Sequence, residues 1–336
     1  MVGNPQMKAA VWSRDGGLRL EERPIPQVVS GHSLVKVALA GICATDREIL
    51  EGRMAGISPN VVPGHEITGT IVDGPGGQHA SHGERVIVDT FLPCGACDKC
   101  RNEQLSDCQD PGELGFTQDG GWAQYLLVPN DRLYRIPDSV SDEEAVIAEP
   151  FAMTLGAFLD CRRDLRGKKV LIVGSGMAAA GFVSSAFALG AESVQVCLKS
   201  LTRADIFSTI DPRVTIVTAD EVEPESADIG VDSIGSQDSV KTAIRGARRK
   251  GLVICYGLAQ QKIDDFPLGD VVLRNLTLSG HTNPKNVWPQ LIELLRTGTV
   301  STRGLVDSYI SLDELPETVL VKSGAFRTVI RPFADI

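Results

Sequence analysis

The chain has 336 residues, of which 43% are hydrophobic and 23% charged, an ordinary globular composition with room for two domains. Its formal net charge of −10 argues against binding to a phosphate backbone, so we expect no nucleic-acid partner. The sequence has no apolar run of membrane-spanning length and no secretory signal pattern at its start, so we expect a cytoplasmic protein without a membrane partner.

The first 150 residues alternate short strand-like runs with proline and glycine turns. The predicted strands cover residues 8–12, 33–39, 61–64, 69–72 and 84–88. Closely spaced short strands are typical of a barrel-like or sandwich-like β domain.

A first group of chemically active residues is spread over this region: Cys43, Thr45, Asp46, His65, Glu66 and, further on, Glu149. A cysteine, a histidine and a carboxylate can form a catalytic zinc site that leaves one position for water or substrate. Taken alone, Cys43 could equally be a small buried hydrophobe, His65 a turn residue and Glu149 the start of a helix.

Four of the eight cysteines fall within fifteen residues, at Cys94, Cys97, Cys100 and Cys108. Four thiolates complete a tetrahedral zinc shell with no open position, which is typical of a structural site. Tight spacing lets one loop wrap the ion, so metal binding stabilises that loop. The alternative is four free thiols that are neighbours by chance.

From about residue 150 the pattern changes to apolar strands separated by segments of helical length. The predicted strands cover residues 169–173, 193–197, 214–217, 229–232, 252–255 and 276–279. This alternation predicts a doubly wound parallel sheet, so the chain as a whole is α/β. An amphipathic helix follows at 288–295, and a strand at 328–331 is expected to return to the first domain.

A glycine-rich turn follows the first of these strands, with Gly174, Gly176 and Ala179 in the pattern G-x-G-x-x-A. The first glycine allows a tight turn, the second lets the backbone approach a pyrophosphate, and the small third residue lets helix and strand pack closely. The setting between strand and helix favours a dinucleotide site over a turn without a ligand.

These motifs, in this order, resemble the zinc-dependent medium-chain alcohol dehydrogenase family over essentially the whole chain. The pair Glu149-Pro150 makes it most similar to the polyol and sorbitol/threonine dehydrogenase branch, and the stretch 113–125 is similar to 2-deoxy-scyllo-inosamine dehydrogenases. The resemblance implies a GroES-like catalytic domain over 1–151 and 283–336, a Rossmann domain over 152–282, and a homodimer or homotetramer.

The resemblance also implies roles for individual residues. Cys43, His65 and Glu149 are the expected catalytic zinc ligands, and Glu66 is a neighbouring or exchanging carboxylate. Thr45 is the hydroxyl that takes the alcohol proton, and Asp46 orients the imidazole. With the four-cysteine loop, two zinc ions per chain are expected, and the substrate is a small alcohol or its ketone.

Two positions depart from the family pattern. Many relatives have a histidine where this chain has Glu48, which either ends the proton relay or is a solvated surface charge. The acid that would bind the adenosine ribose is replaced by Leu198, with Lys199, Ser200 and Arg203 just beyond it. Loss of the acid and gain of basic residues predict a preference for NADP over NAD.

Two other functions are compatible with parts of the pattern. A quinone or enoyl reductase of the same superfamily would lack zinc, and the cysteine loop argues against it. A zinc-stabilised nucleotide-binding sensor without activity is supported only by the altered relay and the altered cofactor position.

Overall fold

The computed structural model of the protein describes residues 5–258, 262–282, 287–321 and 324–333. Contacts divide the chain into two compact units, residues 1–149 with 302–336 and residues 150–301. The sequence-based boundary at 283 differs from this division. Residues 287–301 group with the second unit, and the helix within them buries Trp288, Leu291 and Leu295. Residues 283–286, also assigned to the first domain from sequence, lie outside the described residues.

The strands are short and occur throughout both units. They are β1 (Gln6–Ser13), β2 (Gly17–Pro24), β3 (His32–Gly41), β4 (Ile67–Asp73), β5 (Gly76–Gly77), β6 (Ala80–Ser81), β7 (Arg85–Val88), β8 (Phe91–Leu92), β9 (Gly112–Glu113), β10 (Tyr125–Pro129), β11 (Leu133–Arg135), β12 (Lys169–Val173), β13 (Ser193–Cys197), β14 (Thr215–Val217), β15 (Ala227–Asp232), β16 (Ala247–Cys255), β17 (Thr277–Gly280), β18 (Ser308–Ser311) and β19 (Thr328–Arg331).

The α-helices are fewer. They are α1 (Ala44–Leu50), α2 (Asp98–Arg101), α3 (Asp142–Ala145), α4 (Ala148–Asp160), α5 (Met177–Ala188), α6 (Ala204–Ile210), α7 (Gln237–Gly246), α8 (Leu268–Arg274), α9 (Trp288–Arg296) and α10 (Leu315–Thr318). Among the described residues, none of these helices is long and apolar enough to cross a bilayer.

The first unit is built on a seven-stranded sheet. Its order is β11-β7-β4-β3-β19-β18, and β10 also pairs with β3. Strand β3 is central because it pairs antiparallel with β4, β10 and β19. Inward side chains such as Val35, Val37, Val86 and Leu133 are buried together, and this core supports the loops that follow β3 and precede β4.

The second unit is a six-stranded parallel sheet in the order β14-β13-β12-β15-β16-β17. Chain order reverses between β12 and β15, and that reversal is where open parallel sheets bind ligands at the carboxyl ends of their strands. The predicted doubly wound sheet is therefore confirmed. Apolar runs such as Val170–Val173 are buried on both faces, as the sequence pattern indicated.

One predicted strand is wrong. Residues 61–64 form only an isolated bridge between Val61 and Trp12. Pro63 has no amide hydrogen to donate, and Gly64 has a φ of 95°, so the segment cannot continue a regular ladder. The predicted strand at 328–331 is confirmed as β19.

Candidate functional site

The four clustered cysteines converge on one point. One sulfur from each of Cys94, Cys97, Cys100 and Cys108 lies within 4.8 Å of the others. The Cys94–Cys100 and Cys97–Cys108 sulfur pairs are 3.9 and 4.0 Å apart. Tetrahedral zinc with sulfur at 2.3 Å would set such pairs about 3.8 Å apart, so the two measured sulfur pairs are close to the spacing that zinc requires.

Backbone amides support the thiolate form of this group. The amides of Cys94, Cys97 and Cys100 each point at a neighbouring cysteine sulfur, at 3.2, 3.3 and 3.5 Å. Hydrogen bonds from the backbone lower the pKa of Cys97 to about 6, whereas burial raises the pKa of Cys100 to about 12. Metal ligands must be deprotonated, so these amides favour binding.

A second, more buried group contains Cys43, His65 and Glu66. One ligand atom from each lies within 4.8 Å of the others. Among the described residues, no group donates a hydrogen bond to either carboxylate oxygen of the fully buried Glu66. A thiol, an imidazole and a carboxylate with unused lone pairs are the donor set that zinc prefers, so these residues fit the ion.

Helix α1 positions this group. Cys43 precedes the helix, and its backbone amide donates a 2.7 Å hydrogen bond to Oδ2 of Asp46. The other oxygen of Asp46, Oδ1, lies 3.3 Å from Nδ1 of His65. Burial, the largest single effect, would lower the pKa of His65, but the charges and hydrogen bonds of Asp46 and Cys43 together outweigh it and raise that pKa well above its ordinary value. One carboxylate therefore fixes both Cys43 and the imidazole ring.

Arg327 completes the group, and the sequence did not predict it. Its guanidinium lies 3.1 Å from Oε1 of Glu66 and donates a 2.6 Å hydrogen bond to the carbonyl of Ile42. Burial raises the pKa of Glu66, and the charge of Arg327 only partly opposes that rise. The residue lies just before β19, far from Glu66 in the chain, so no local spacing could have revealed the pair.

The remaining predicted catalytic residues differ in their positions. Thr45 has its hydroxyl 3.7 Å from the sulfur of Cys43. Glu149 interacts electrostatically with His65, and burial raises its pKa well above the ordinary value. The geometry does not bring Glu48 to the group, because its exposed carboxylate forms 2.7 Å hydrogen bonds with Arg53. The structure therefore favours a solvated surface charge at Glu48 over the end of a proton relay.

The glycine turn has the predicted strand–turn–helix setting. Gly174 has a φ of 144°, and a side chain there would collide with the hydroxyl of Ser233. Gly176 caps α5 and has open space where a side chain would project, while Ala179 is fully buried against its neighbours. The amides at the start of α5 are therefore accessible to a phosphate.

The loop after β13 carries the expected basic residues. Leu198 is buried, so its side chain is not part of the loop surface, whereas Lys199 and Ser200 are exposed. Arg203 donates a 3.2 Å hydrogen bond from Nη1 to the carbonyl of Ser175 in the glycine turn. The guanidinium and the glycine turn are thus adjacent.

Together, a zinc-type donor group, a closed four-cysteine group and a dinucleotide turn define a zinc-dependent oxidoreductase. Comparisons with known proteins agree. Residues 29–138 match the alcohol dehydrogenase GroES-like domain, and residues 177–297 match the zinc-binding dehydrogenase domain. The chain belongs to the zinc-dependent medium-chain alcohol dehydrogenases, in the polyol and threonine dehydrogenase branch, which confirms the resemblance inferred from sequence.

Individual relatives are similar over nearly their whole length. The sorbitol dehydrogenase of Bacillus subtilis (strain 168) is 28% identical over 329 residues, 93% of this chain and 92% of that protein. The L-threonine 3-dehydrogenase of Pyrococcus horikoshii is 26% identical, covering 97% and 98%. A crystal structure described as a zinc-binding dehydrogenase from Sinorhizobium meliloti 1021, bound to NADP, has a TM-score of 0.90 at 26% identity, covering 98% and 100%. The chain is therefore an NAD(P)-dependent alcohol dehydrogenase.

Proposed function

We propose that the protein oxidises a secondary hydroxyl of a polyol or amino-cyclitol, or reduces the corresponding ketone, with NADP as the preferred cofactor. The observation that carries this proposal is the buried group of Cys43, His65 and Glu66, whose ligand atoms lie within 4.8 Å of one another. Polyol relatives support the substrate class, and the NADP-bound structural relative supports the cofactor.

The residues of the chain have distinct tasks in this proposal. Cys43, His65 and Glu149 would hold the catalytic zinc, with Glu66 as a neighbouring or exchanging carboxylate, and the four-cysteine group would hold a second ion. When bound, zinc supplies a Lewis acid that lowers the pKa of an alcohol, and the nicotinamide accepts hydride.

Other side chains position these groups and move the proton. Asp46 holds the imidazole of His65 in one orientation, 3.3 Å from its own carboxylate. Arg327 offsets the charge of Glu66 at 3.1 Å. The hydroxyl of Thr45, which lies 3.7 Å from the sulfur of the proposed zinc ligand Cys43, would take the substrate proton.

A screen of the zinc-loaded protein tests this function. The absorbance of reduced nicotinamide is followed with myo-inositol, sorbitol, ethanol and 1-octanol, each with NADP and NAD. We expect a cyclic polyhydroxylated alcohol to give a higher kcat/KM than either primary alcohol. His65→Ala should abolish most turnover and reduce bound zinc, whereas the exposed His82→Ala should not. A clear preference for primary aliphatic alcohols would contradict the substrate class.

We also propose that the protein is a homodimer or homotetramer. Strand β17 is an edge of the parallel sheet, and α8 exposes Leu268, Val272 and Leu273 by 61%, 63% and 73%. Such exposed apolar side chains favour association. Light scattering coupled to gel filtration measures the mass, and Leu273→Asp should lower it. A monomeric wild type would contradict the assembly.

We also propose that the protein is cytoplasmic, and the state of its cysteines supports this location. None of the eight cysteines, all of which lie within the described residues, forms a disulfide bond, which is typical of a reducing compartment. Fractionation of the native host cells tests it.

A further inference from the structure

The carboxylate of Glu113 lies near the candidate zinc group and was not assigned a role from the sequence. Glu113 ends β9, where it pairs with Phe91 of β8. Its charge interacts with that of His65, and Glu149 in turn interacts with Glu113. The carboxylate therefore belongs to the surroundings of the proposed catalytic site.

Hydrogen bonds within a turn hold the backbone of Glu113 in place. The amide of Glu113 donates a 2.8 Å hydrogen bond to the hydroxyl of Thr117, and the amide of Thr117 donates to the Glu113 carbonyl at 2.9 Å. Within the same turn, Gly115 has a φ of 89°, and a Cβ there would lie 2.9 Å from the carbonyl oxygen of Gly64. The turn therefore packs directly on the residue that precedes His65.

A ring contact fixes the turn from its other end. Phe116 packs on the imidazole of His65 with ring centroids 5.1 Å apart. Phe116 is itself buried with Trp12, Ile49 and Val61, so the turn is anchored in a core cluster. Glu113 therefore lies next to an anchored turn. A residue that selects a substrate needs such a well-supported position.

Glu113 differs from Asp46, Glu66 and Asp89 in having no cationic partner among the described residues, and unlike Glu149 it has no proposed role at the zinc. Asp46 lies beside His65, Glu66 beside Arg327, and Asp89 is 2.9 Å from Arg132. Within the described ranges, no side chain or amide donates to the carboxylate of Glu113. Burial raises its pKa to about 7, which is the consequence of an acid partly removed from water without a donor.

We propose that Glu113 is a specificity-determining residue that binds an ammonium group of the substrate, so that the preferred substrates are amino alcohols. This inference rests on the proposed function. An ammonium supplies both the missing charge and the missing hydrogen-bond donors, and such charge-assisted bonds are about twice as strong as neutral ones. A hydroxyl at the same position would satisfy the carboxylate less well.

The test uses a matched pair of probes, trans-2-aminocyclohexanol and trans-cyclohexane-1,2-diol, which differ by one amine. The zinc-loaded protein with bound NADPH is titrated calorimetrically with each, and turnover is measured separately with NADP. Variants are Glu113→Gln, which keeps the shape and removes the charge, and Glu113→Asp, which keeps the charge. The exposed Glu22→Gln is the matched control.

We expect wild type to prefer the amine, and Glu113→Gln to weaken binding of the amine by about 10- to 100-fold, the value of a hydrogen bond to a charged group. Binding of the diol should change by less than about threefold, since it makes no such bond. Glu113→Asp should retain a preference for the amine, and Glu22→Gln should behave as wild type.

The two proposals fail in different ways. Turnover without a preference for the amine, or a preference that survives in Glu113→Gln, would overturn the role of Glu113 and leave the dehydrogenase intact. Selective binding of the amine that is lost in Glu113→Gln would support the role of Glu113, whether or not any alcohol is turned over. Absence of turnover with every alcohol would overturn the proposed dehydrogenase function. Binding of neither probe would overturn the role of Glu113.

Discussion

Arg327 and Glu66 form a buried ion pair at 3.1 Å, and the same guanidinium Nη1 donates to the carbonyl of Ile42 at 2.6 Å. Removing one member of a buried pair leaves an uncompensated charge, which typically costs about 3–5 kcal/mol. Arg327→Leu should therefore lower the free energy of unfolding by about that amount.

Urea denaturation measures this change. The matched control is Arg331→Leu, since Arg331 is exposed and its nearest acid, Glu143, is 3.9 Å away. That variant should lose no more than about 1 kcal/mol. Equal losses in the two variants would show that the buried pair contributes nothing particular to stability.

Much of the second unit could be predicted from the sequence because its signals are local. A continuous apolar run, two glycines and a helix follow one another at Val170–Ala188, and the structure has them in that order. The four-cysteine group is equally local. In contrast, Arg327 meets Glu66 only through the pairing of β19 with β3, and the turn that carries Glu113 reaches the neighbourhood of His65 only by packing on Gly64. Tertiary packing creates these contacts, so spacing along the chain does not contain them.

The four-cysteine group should bind a structural zinc ion whose loss destabilises the fold. Cys97→Ser removes one of four sulfur ligands, and the expected result is a fall from two zinc ions per chain to one, with a lower Tm. Cys161→Ser is the control, because that half-buried thiol lies outside both metal-type groups. Metal analysis and thermal denaturation give the two readouts. Two zinc ions in purified Cys97→Ser would contradict the assignment.

Tyr134 should make stability depend on alkaline pH. Burial raises the pKa of its phenol to about 12, against about 10 in an unfolded chain. The folded state therefore favours the protonated phenol. This contribution is fully present below about pH 10 and is lost as the pH rises through about 12.

Urea denaturation between neutral pH and about pH 12 checks this, with Tyr134→Phe and the exposed Tyr309→Phe. Tyr134→Phe should reduce the loss of stability across this range by on the order of 2 kcal/mol, and Tyr309→Phe should not. If the free energy of unfolding of Tyr134→Phe falls with alkaline pH as it does in wild type, Tyr134 is not the cause of that fall.

Thr45 should carry the substrate proton. A positioned proton-transfer group contributes about 10²–10⁴-fold to the rate, so Thr45→Ala should lower kcat by that range with little change in cofactor affinity. Thr45→Ser keeps the hydroxyl and should remain within about tenfold of wild type. Steady-state kinetics with saturating cofactor measure kcat for both variants. If Thr45→Ala turns over like wild type, the proton leaves by another route.

Arg203 should decide between the two nicotinamide cofactors. Its guanidinium is bonded to the carbonyl of Ser175 at 3.2 Å, which sets it at the edge of the glycine turn, and Lys199 and Ser200 are exposed in the same loop. A guanidinium has five N–H donors, so it can bind a 2′-phosphate beside this bond. The buried Leu198 offers no carboxylate that would repel that phosphate.

Arg203→Ala should therefore cost on the order of 1.5–3 kcal/mol in kcat/KM for NADP and much less for NAD. Arg213→Ala is the control, since that side chain pairs with Asp211 and packs on Phe187. A wild-type kcat/KM that favours NAD, or an equal loss for both cofactors in Arg203→Ala, would contradict the preference.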